Sequence, residues 1–535
     1  GVIDNRHELA RFLDWSSSVA WLYVKENWNN LTGISEVADD NNNKYVDFSG
    51  IAANAFDGIE NYANIGWHKF SINTQKYLTL PARKSSDGNN IPWELSAVEL
   101  KLNEYTAREL SSMRLRQEAS LKVSMGGTLV VQSVKAVSKS TDCLYNKALA
   151  LDFDENATQE VNKGARIDVC LGGALQIGDI KVSVPDNCTG EWNAGQPGIS
   201  LSAEYDNKRS TGNAYLRLQV PQCAKFTKVG VDTETIPTAE EINTWLSENN
   251  ISIDFIDPCK LNGEEYFVVT GDPDRAWILK RAADGLANNR IEELIAPKKD
   301  SDGYYEIKES DQLRALYMCK GDGSGAERIK VRINPDNANN ELILNSKLET
   351  MWDVEIVSGK KLTVNPGSVL EAAVTVASCA AIDIQVSGSE YGELRTAQDR
   401  NITVEAGGTL SVQGSNNGNG GSGEGKAKLV SQKGGRVIVE AGGTLEIYGT
   451  FECGGYKSAD VTTPEVWFAN NGTVNNNGSI IVTIFIAKSS TSQTLTPAEI
   501  YSINSEIKYK TGSTYSGNGN VEATFVCETA LNNHS

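Results

Sequence analysis

Five short segments of alternating hydrophobic and polar residues recur along the chain, each around a glycine-containing bend. They read LKVSMGGTLVV from Leu121, IDVCLGGALQI from Ile167, LTVNPGSVLEA from Leu362, ITVEAGGTLSV from Ile402 and VIVEAGGTLEI from Val437. Alternate residues of a strand point to the same face, so the aliphatic positions on either side of the bend predict two short strands that share one core.

Two architectures place glycine between strands of this kind. A β-hairpin favours Asn-Gly or Asp-Gly at its turn and has a partner strand directly after it. A solenoid stacks one coil on the next, and glycine allows a sharp corner in each coil. Within each half of the chain the copies lie 35 to 46 residues apart. This spacing and the Gly-Gly-Thr-Leu bend favour the solenoid, and NNGTVNNNGSIIV from Asn470 fits a further coil.

Matching segments also indicate two related halves. ELKLN begins at Glu99 and ELILN at Glu341, each 26 or 27 residues before the first glycine of a bend. IDNRHELARFL from Ile3 and IKESDQLRALY from Ile307 both place leucines at helical spacing, with Asn5 and Ser310 as candidate N-caps. A helix at the start of each half would cover the open edge of its first coil.

The segment between the halves has a different pattern. TAEEINTWLSENN predicts a helix capped by Thr238, EEYFVVT predicts a strand, and RAADGLANNRIEELI from Arg281 is a second helical candidate. We therefore expect an all-β dominated fold, a parallel β-solenoid in two related halves with short helical caps. Residues 1–228 form the first half with an N-terminal helical cap, 229–300 an α+β insertion or linker, and 301–535 the second half with an entry helix and a C-terminal cap.

The GGTL coils resemble those of the right-handed parallel β-helix proteins, the pectin-lyase-like superfamily. More narrowly, they are similar to the surface β-helix proteins exported by Gram-negative gut anaerobes. The resemblance covers residues 99–220 and 330–485 and implies a right-handed β-helix. That superfamily contains polysaccharide lyases and hydrolases as well as adhesins, and the coil motif indicates stacking rather than chemistry.

Charge and hydropathy narrow the classes of partner. The formal net charge of −19 argues against nucleic acid and anionic lipid, which require clustered Lys and Arg. The most apolar run, 480–487, has the length of a strand and is far below the roughly 18 residues of a membrane-spanning segment. A chain whose export signal has been removed would begin as this one does, at Gly1, so we expect a secreted or outer-surface location.

The nine cysteines contain no CxxC pair, and the chain has three histidines, which argues against a structural zinc site. Cys188 has two local partners in the sequence, Cys170 and Cys223. The sequence leaves both disulfide pairings open.

Three kinds of candidate site follow from residue type. Asp152 and Asp154 in LDFDEN are a candidate carboxylate pair for glycoside hydrolysis, although acids often alternate on an exposed strand. Asp-rich turns at DDNNNK and DSDG offer oxygen ligands for calcium, or are simply solvated turns without a terminal Glu. The calcium candidates are Asp39, Asp40, Asp300 and Asp302.

Half of the ten tryptophans lie within the first 93 positions, namely Trp15, Trp21, Trp28, Trp67 and Trp93. Exposed tryptophans stack on sugar rings and anchor interfaces, whereas buried ones fill the core of a cap.

We expect a non-catalytic surface protein for adhesion or glycan contact, whose partner is a polysaccharide or a cell-surface glycoprotein, with no cofactor other than calcium. The alternatives are a carbohydrate-active enzyme of the β-helix superfamily and a structural component of a surface layer.

Overall fold

The computed structural model describes residues 2–3, 20–24, 35–38, 44–47, 64–65, 70–73, 78–80, 92–96, 99–101, 113–115, 118–124, 126–138, 148–153, 164–188, 198–205, 214–283, 288–325, 327–414, 426–457, 465–487, 497–508 and 513–528. This part of the chain is mostly β-strand. Its helices are α1 (Ala239–Glu248), α2 (Ser310–Lys320) and α3 (Pro497–Lys508).

The chain divides into two compact units. Unit 1 contains Gly1–Pro273 and Trp277–Glu293, and unit 2 contains Asp274–Ala276 and Leu294–Ser535. The predicted segments 1–228, 229–300 and 301–535 are a finer division, and they stay a prediction.

Unit 1 holds three large sheets, each described in the order of its hydrogen-bonded strands. Sheet A consists of β1 (Val2–Ile3), β2 (Ala20–Val24), β6 (Phe70–Asn73), β9 (Glu99–Lys101), β12 (Thr128–Val131), β16 (Ala174–Ile177), β17 (Ile180–Ser183), β20 (Lys225–Val229) and β21 (Glu234–Thr235). Sheet B consists of β13 (Ser133–Ser138), β14 (Ala148–Phe153), β10 (Met113–Leu115), β7 (Leu78–Leu80), β4 (Lys44–Asp47) and β3 (Ser35–Ala38). Sheet C consists of β22 (Ile251–Ile256), β19 (Ala214–Pro221), β18 (Ile199–Tyr205), β15 (Arg166–Val169), β11 (Ser120–Ser124), β8 (Trp93–Ser96) and β5 (Asn64–Ile65). A smaller sheet D consists of β23 (Cys259–Leu261), β24 (Glu264–Val268), β25 (Arg275–Lys280) and β26 (Arg290–Ile295).

Unit 2 contains two long parallel sheets. The main path of sheet E consists of β27 (Tyr304–Ile307), β28 (Lys330–Ile333), β30 (Lys347–Ile356), β32 (Val369–Val376), β36 (Glu393–Thr396), β39 (Lys428–Ser431), β42 (Thr450–Lys457), β46 (Ser479–Ala487) and β48 (Asn520–Glu528). Beside this path lie β37 (Ile402–Val404), β40 (Val437–Val439), β43 (Glu465–Val466) and β44 (Phe468–Asn470). Sheet F consists of β29 (Glu341–Leu344), β31 (Lys361–Val364), β33 (Ala381–Ile384), β38 (Thr409–Val412), β41 (Thr444–Ile447), β45 (Thr473–Asn476) and β47 (Thr514–Ser516). A two-stranded sheet G pairs β34 (Val386–Ser387) with β35 (Glu390–Tyr391).

The seven strands of sheet F pair in parallel and in register. One column of facing residues is Leu342, Leu362, Ile382, Leu410, Leu445, Val474 and Tyr515. The first six are fully buried. The chain alternates between sheets F and E along most of unit 2, so each visit to sheet F adds one layer to the same core. Within the described residues no sheet closes on itself.

Copies of the glycine motif stack on one another in parallel, as the solenoid interpretation predicts. The copy at Ile167 also has antiparallel partners on its other side, since β15 pairs with β18 and β16 with β17. Ile402 pairs in parallel with Val437, and Leu410 with Leu445. In unit 1, Leu121 pairs in parallel with Ile167, and Leu129 with Leu175.

Two equivalences expected from the sequence are corrected by the pairing. The motif from Leu362 leads from sheet F to sheet E, whereas those from Ile402 and Val437 lead from sheet E to sheet F, so they occupy different corners of the coil. ELKLN pairs with the strand after a glycine bend, Leu100 facing Leu129, whereas Leu342 of ELILN faces Leu362, which lies before one. A glycine-containing bend can occupy either corner, so equal spacing does not identify equal positions.

The paired glycines of the bend have separate physical roles. The first adopts a positive φ, +81° at Gly407 and +88° at Gly442, which residues with a Cβ disfavour. The second lies against the preceding coil, because a Cβ on Gly443 would be 2.5 Å from the carbonyl oxygen of Val404. Close stacking of backbone on backbone therefore leaves no room for a side chain at Gly408 and Gly443.

The predicted helix at Thr238 is confirmed. The Glu241 amide donates to the Thr238 hydroxyl at 3.2 Å, and the Thr238 amide donates to the Glu241 carboxylate at 2.9 Å, which forms a capping box. The buried face of α1 packs into the same hydrophobic core as the coils of unit 1. The Trp245 indole donates to the carbonyl of Ile177 at 2.9 Å, so α1 satisfies a backbone group at the end of β16, an interior strand of sheet A.

Two local predictions near α1 and α2 are wrong, while EEYFVVT is confirmed as β24. Residues 290–295 of the second helical candidate form strand β26, because sheet D offers a pairing partner that overrides the helical spacing of Ile291 and Leu294. Ser310 is the first residue of α2 rather than its N-cap. Glu309 is extended and takes the cap position, and its amide donates to the Gln312 side chain at 3.3 Å.

Of the two disulfide pairings left open by the sequence, Cys188 pairs with Cys223. Cys170 is buried and is not part of a disulfide. The N-cap candidate Asn5 and the glycine-rich stretch 415–425 lie outside the described residues.

Candidate functional site

Of the five tryptophans of the N-terminal region, the structure describes the backbone positions of two. Trp21 lies on β2 of sheet A opposite Ser71, and Trp93 lies on β8 of sheet C opposite Leu121. Trp15, Trp28 and Trp67 lie outside the described residues.

The carboxylate pair of LDFDEN is described only at Asp152. This residue lies on β14 and is 4% exposed, so its carboxylate is buried and does not face solvent as a catalytic group on an open strand would. Asp154 lies outside the described residues, as do the calcium candidates Asp39 and Asp40.

Asp300 and Asp302 share a cation supplied by the chain itself. Both carboxylates lie 3.4 Å from the guanidinium of Arg332. Backbone amides, chiefly that of Tyr304, hold the pKa of Asp300 below its usual range. Among the described residues no group of three or more His, Cys, Asp or Glu side chains is placed to hold a metal ion.

Unit 2 contains a cavity of about 370 Å³ on sheet E. It is lined by Val430, Ser431, Gln432, Lys433, Glu452, Cys453, Gly454, Tyr456, Trp467, Thr483 and Phe485. These residues come from β39 and the turn after it, from β42, from the residue after β43 and from β46. Three successive coils therefore build one concave surface.

Aromatic rings form one wall of this cavity. The rings of Trp467 and Phe485 stack with centroids 6.0 Å apart and an interplanar angle of 20°. Trp467 is 7% exposed, whereas Tyr456 is 39% exposed and Phe485 is partly exposed. The buried indole thus stacks on the partly exposed ring of Phe485, and the ring of Tyr456 is open to a ligand.

Two adjacent glycines in β42 make room for this wall. A Cβ on Gly454 would overlap the indole of Trp467, and a Cβ on Gly455 would lie 2.5 Å from the carbonyl oxygen of Glu465. Strand β43 pairs antiparallel with β42, Gly455 facing Val466. The backbone amide of Trp467 donates to the Gly454 carbonyl at 2.9 Å, which fixes the backbone of Trp467 directly after β43.

The polar groups of the cavity are connected to neighbouring strands. Glu452 forms an ion pair with Lys428 at 2.9 Å. The amide nitrogen of Gln432 donates to the carboxylate of Glu371 at 2.7 Å. Lys433 lies exposed on the turn after β39.

Glu371 belongs to a charged cluster beside the cavity, which we call the Arg395 cluster (Glu349, Glu371, Glu393 and Arg395). The guanidinium of Arg395 lies 2.7 Å from Glu393, 3.3 Å from Glu349 and 3.8 Å from Glu371. Glu349, Glu371 and Arg395 face one another on three adjacent strands.

Burial and charge act in opposite directions within this cluster. Desolvation raises the pKa of Glu371, although Gln432 and Arg395 favour its charged form. The hydrogen bond to Glu393 is the main cause that raises the pKa of Arg395. One carboxyl group of the cluster therefore holds its proton more tightly than an exposed glutamate does.

Cys453 supplies no nucleophile to the cavity. Its side chain is 3% exposed, and burial raises the pKa of its thiol far above the usual range. Reactive cysteines need an accessible thiolate, so this thiol is a packing group.

Sequence reasoning missed this cavity. One local signal was present, the Gly-Gly pair inside the strand segment TFECGGYK, since paired glycines in a strand mark a close approach of another group. The partner that approaches, Trp467, comes from a separate strand and had no signal of its own.

Comparisons with models of protein families, with curated proteins and with solved structures find no match to this chain. In the part of the chain that the structure describes, no helix is long and apolar enough to cross a bilayer.

Proposed function

We propose that the protein is an exported or cell-surface parallel β-solenoid, a right-handed β-helix, that binds glycans without catalysis. The observation that carries the proposal is the cavity on sheet E, in which the open rings of Tyr456 and Phe485 lie beside hydrogen-bonding groups. A flat apolar face with polar groups at its rim fits a sugar ring, which has an apolar face and a hydroxylated edge.

The stacking of parallel strands supports the solenoid part of this proposal. Seven strands of sheet F keep one register, and copies of the glycine motif face each other. A solenoid of this kind provides an extended and rigid surface, on which a small cavity is held in a fixed geometry. The partner is a polysaccharide or a glycoprotein of a cell surface, and the residues that would hold it need no metal.

A glycan-array screen of the full chain, followed by calorimetric titration of the glycans that bind, tests the proposal. Tyr456→Ala removes the most exposed ring of the cavity and should weaken binding by about 1 kcal/mol, roughly fivefold in Kd. Tyr501→Ala is the matched control, because Tyr501 lies on α3 and is 72% exposed. Equal affinities for the two variants would place the glycan site elsewhere, and no binding at all would reject the proposed function.

A second candidate function is glycoside hydrolysis. The observation that favours it is the pairing of Glu349 with Glu371 on adjacent strands, with a raised pKa at Glu371. The guanidinium of Arg395 lies 3.3 Å from Glu349 and 3.8 Å from Glu371. Glycosidases use a pair of carboxyl groups, of which the general acid has a raised pKa. Release of reducing ends from a bound glycan, abolished in Glu371→Gln, would establish this activity in place of simple binding.

A further inference from the structure

Cys188, Cys223 and Cys259 of unit 1 lie on neighbouring segments. Two of them form a disulfide and the third is a thiol. Cys223 is bonded to Cys188, with their Cα atoms 5.7 Å apart. Cys259 is a free and exposed thiol. Thiol–disulfide exchange requires an accessible thiol close to a disulfide, so the position of Cys259 relative to Cys223 matters.

The strand pairing brings Cys259 beside the turn that carries Cys223. Strands β19 and β22 run parallel, and their last pair is Pro221 with Ile256. Cys223 and Cys259 follow that pair by two and three residues. The turn after β19 is closed by the Ala224 amide, which donates to the Pro221 carbonyl at 3.0 Å.

Gln222, the residue next to Cys223, links the two segments. Its side-chain nitrogen donates to the carbonyl of Asp257, and the thiol of Cys259 donates to its side-chain oxygen at 3.4 Å. The free thiol is thus held at the side chain adjacent to a disulfide sulfur.

We propose that Cys259 is the third member of a disulfide exchange in unit 1. The Cys259 thiolate attacks Sγ of Cys223, a new sulfur–sulfur bond forms between them, and the Cys188–Cys223 bond breaks. Cys188 leaves as a thiolate and takes up a proton from solvent. One disulfide and one thiol are present before and after the step, so no oxidant or reductant is consumed.

The chain entropy of the two bridges is nearly the same. The existing disulfide joins residues 35 positions apart, and Cys223 and Cys259 are 36 positions apart. Loop-closure entropy varies only with the logarithm of loop length, so it does not select between them. Local packing alone sets the balance, and the exchange moves the covalent link from the turn at Cys188 to the start of β23.

Disulfide mapping of the intact chain tests this assignment. The protein is incubated at about pH 6 and at about pH 8.5, where exchange through a thiolate is faster. Free thiols are then blocked in acid, the chain is digested without reduction, and linked peptides are quantified by mass spectrometry. We expect Cys188–Cys223 and Cys223–Cys259 peptides within about tenfold of each other, a difference of roughly 1.4 kcal/mol, reached sooner at the higher pH.

Two variants separate the exchange from damage to the fold. Cys259→Ser removes the attacking thiol and should hold the Cys188–Cys223 bridge alone at both pH values. Cys188→Ser should yield a Cys223–Cys259 bridge under mild oxidation. Wild-type protein that keeps only Cys188–Cys223, with Cys259 fully alkylated at both pH values, overturns the proposal. A Cys188–Cys259 bridge overturns it as well, because Cys223 would then not be the shared sulfur.

Discussion

Replacement of Gly443 by alanine tests whether the close stacking of coils requires the second glycine of the bend. The added Cβ would lie 2.5 Å from the carbonyl oxygen of Val404 and 2.9 Å from that of Glu405. Cβ atoms essentially never approach other atoms closer than 3.0 Å, and both neighbours are backbone that cannot rotate away. One coil must therefore move against the next by at least about 0.5 Å.

Forced overpacking of this kind costs about 1–3 kcal/mol. We expect the upper part of that range, because the Thr444 amide bonds to the Gly408 carbonyl and ties the two coils together just beyond the bend. Gly325→Ala is the matched control, since its Cβ would meet no atom within 4 Å and its φ is not positive.

Urea unfolding and hydrogen exchange measure the effect together. Gly443→Ala should lower the unfolding free energy, and amide protection should fall at Ile402–Val404 and Val437–Val439, the strands that stack across this bend. Gly325→Ala should leave both unchanged. If Gly443→Ala matches that control in urea midpoint and in protection, the steric reasoning about the bend is refuted.

Three further outcomes are expected. Thr238→Ala removes the capping box of α1 and should cost about 1 kcal/mol in urea unfolding, whereas Thr244→Ala on the same helix should cost nearly nothing. Burial raises the pKa of Glu371, so its ionisation opposes folding. Glu371→Gln should therefore stabilise the chain at neutral pH. The gain should shrink as pH falls through the raised pKa of the folded protein and should be gone below the ordinary pKa of 4.5. Gly454→Ala should displace the Trp467 indole and weaken glycan binding in calorimetric titration, while Gly325→Ala should not. Equal glycan affinities of the two variants would show that the indole does not contribute to the binding site.

The sequence predicted the features that local chemistry determines. Alternating aliphatic residues around the glycine bend indicated stacked strands, since the pattern of one coil specifies its inward face and the position of its bend. Thr238 and Glu241 predicted a helix start, because the two halves of a capping box lie three residues apart. The apolar run at 480–487 was correctly assigned the length of a strand.

What the sequence did not predict depends on partners that are distant along the chain. Ile291 and Leu294 have helical spacing, and sheet D makes them part of a strand. Gln432, Tyr456 and Phe485 line one cavity although each comes from a different coil, and no local pattern states that they meet. The sequence also did not predict at which corner of the coil a glycine motif lies, because glycine-containing bends occur at both corners.

The constant register of sheet F has a consequence for how such a chain tolerates change. Successive strands face each other residue for residue, yet the chain between equivalent positions varies from 20 residues (Leu342 to Leu362) to 41 (Val474 to Tyr515). The paired strands of sheet F therefore keep a constant register, while the chain segments between successive strands vary in length. New sequence inserted between Val412, the end of β38, and Lys428, the start of β39, would lengthen one segment and leave the strand pairing unchanged. The same scaffold is thus open to acquiring, replacing or losing displayed loops one coil at a time.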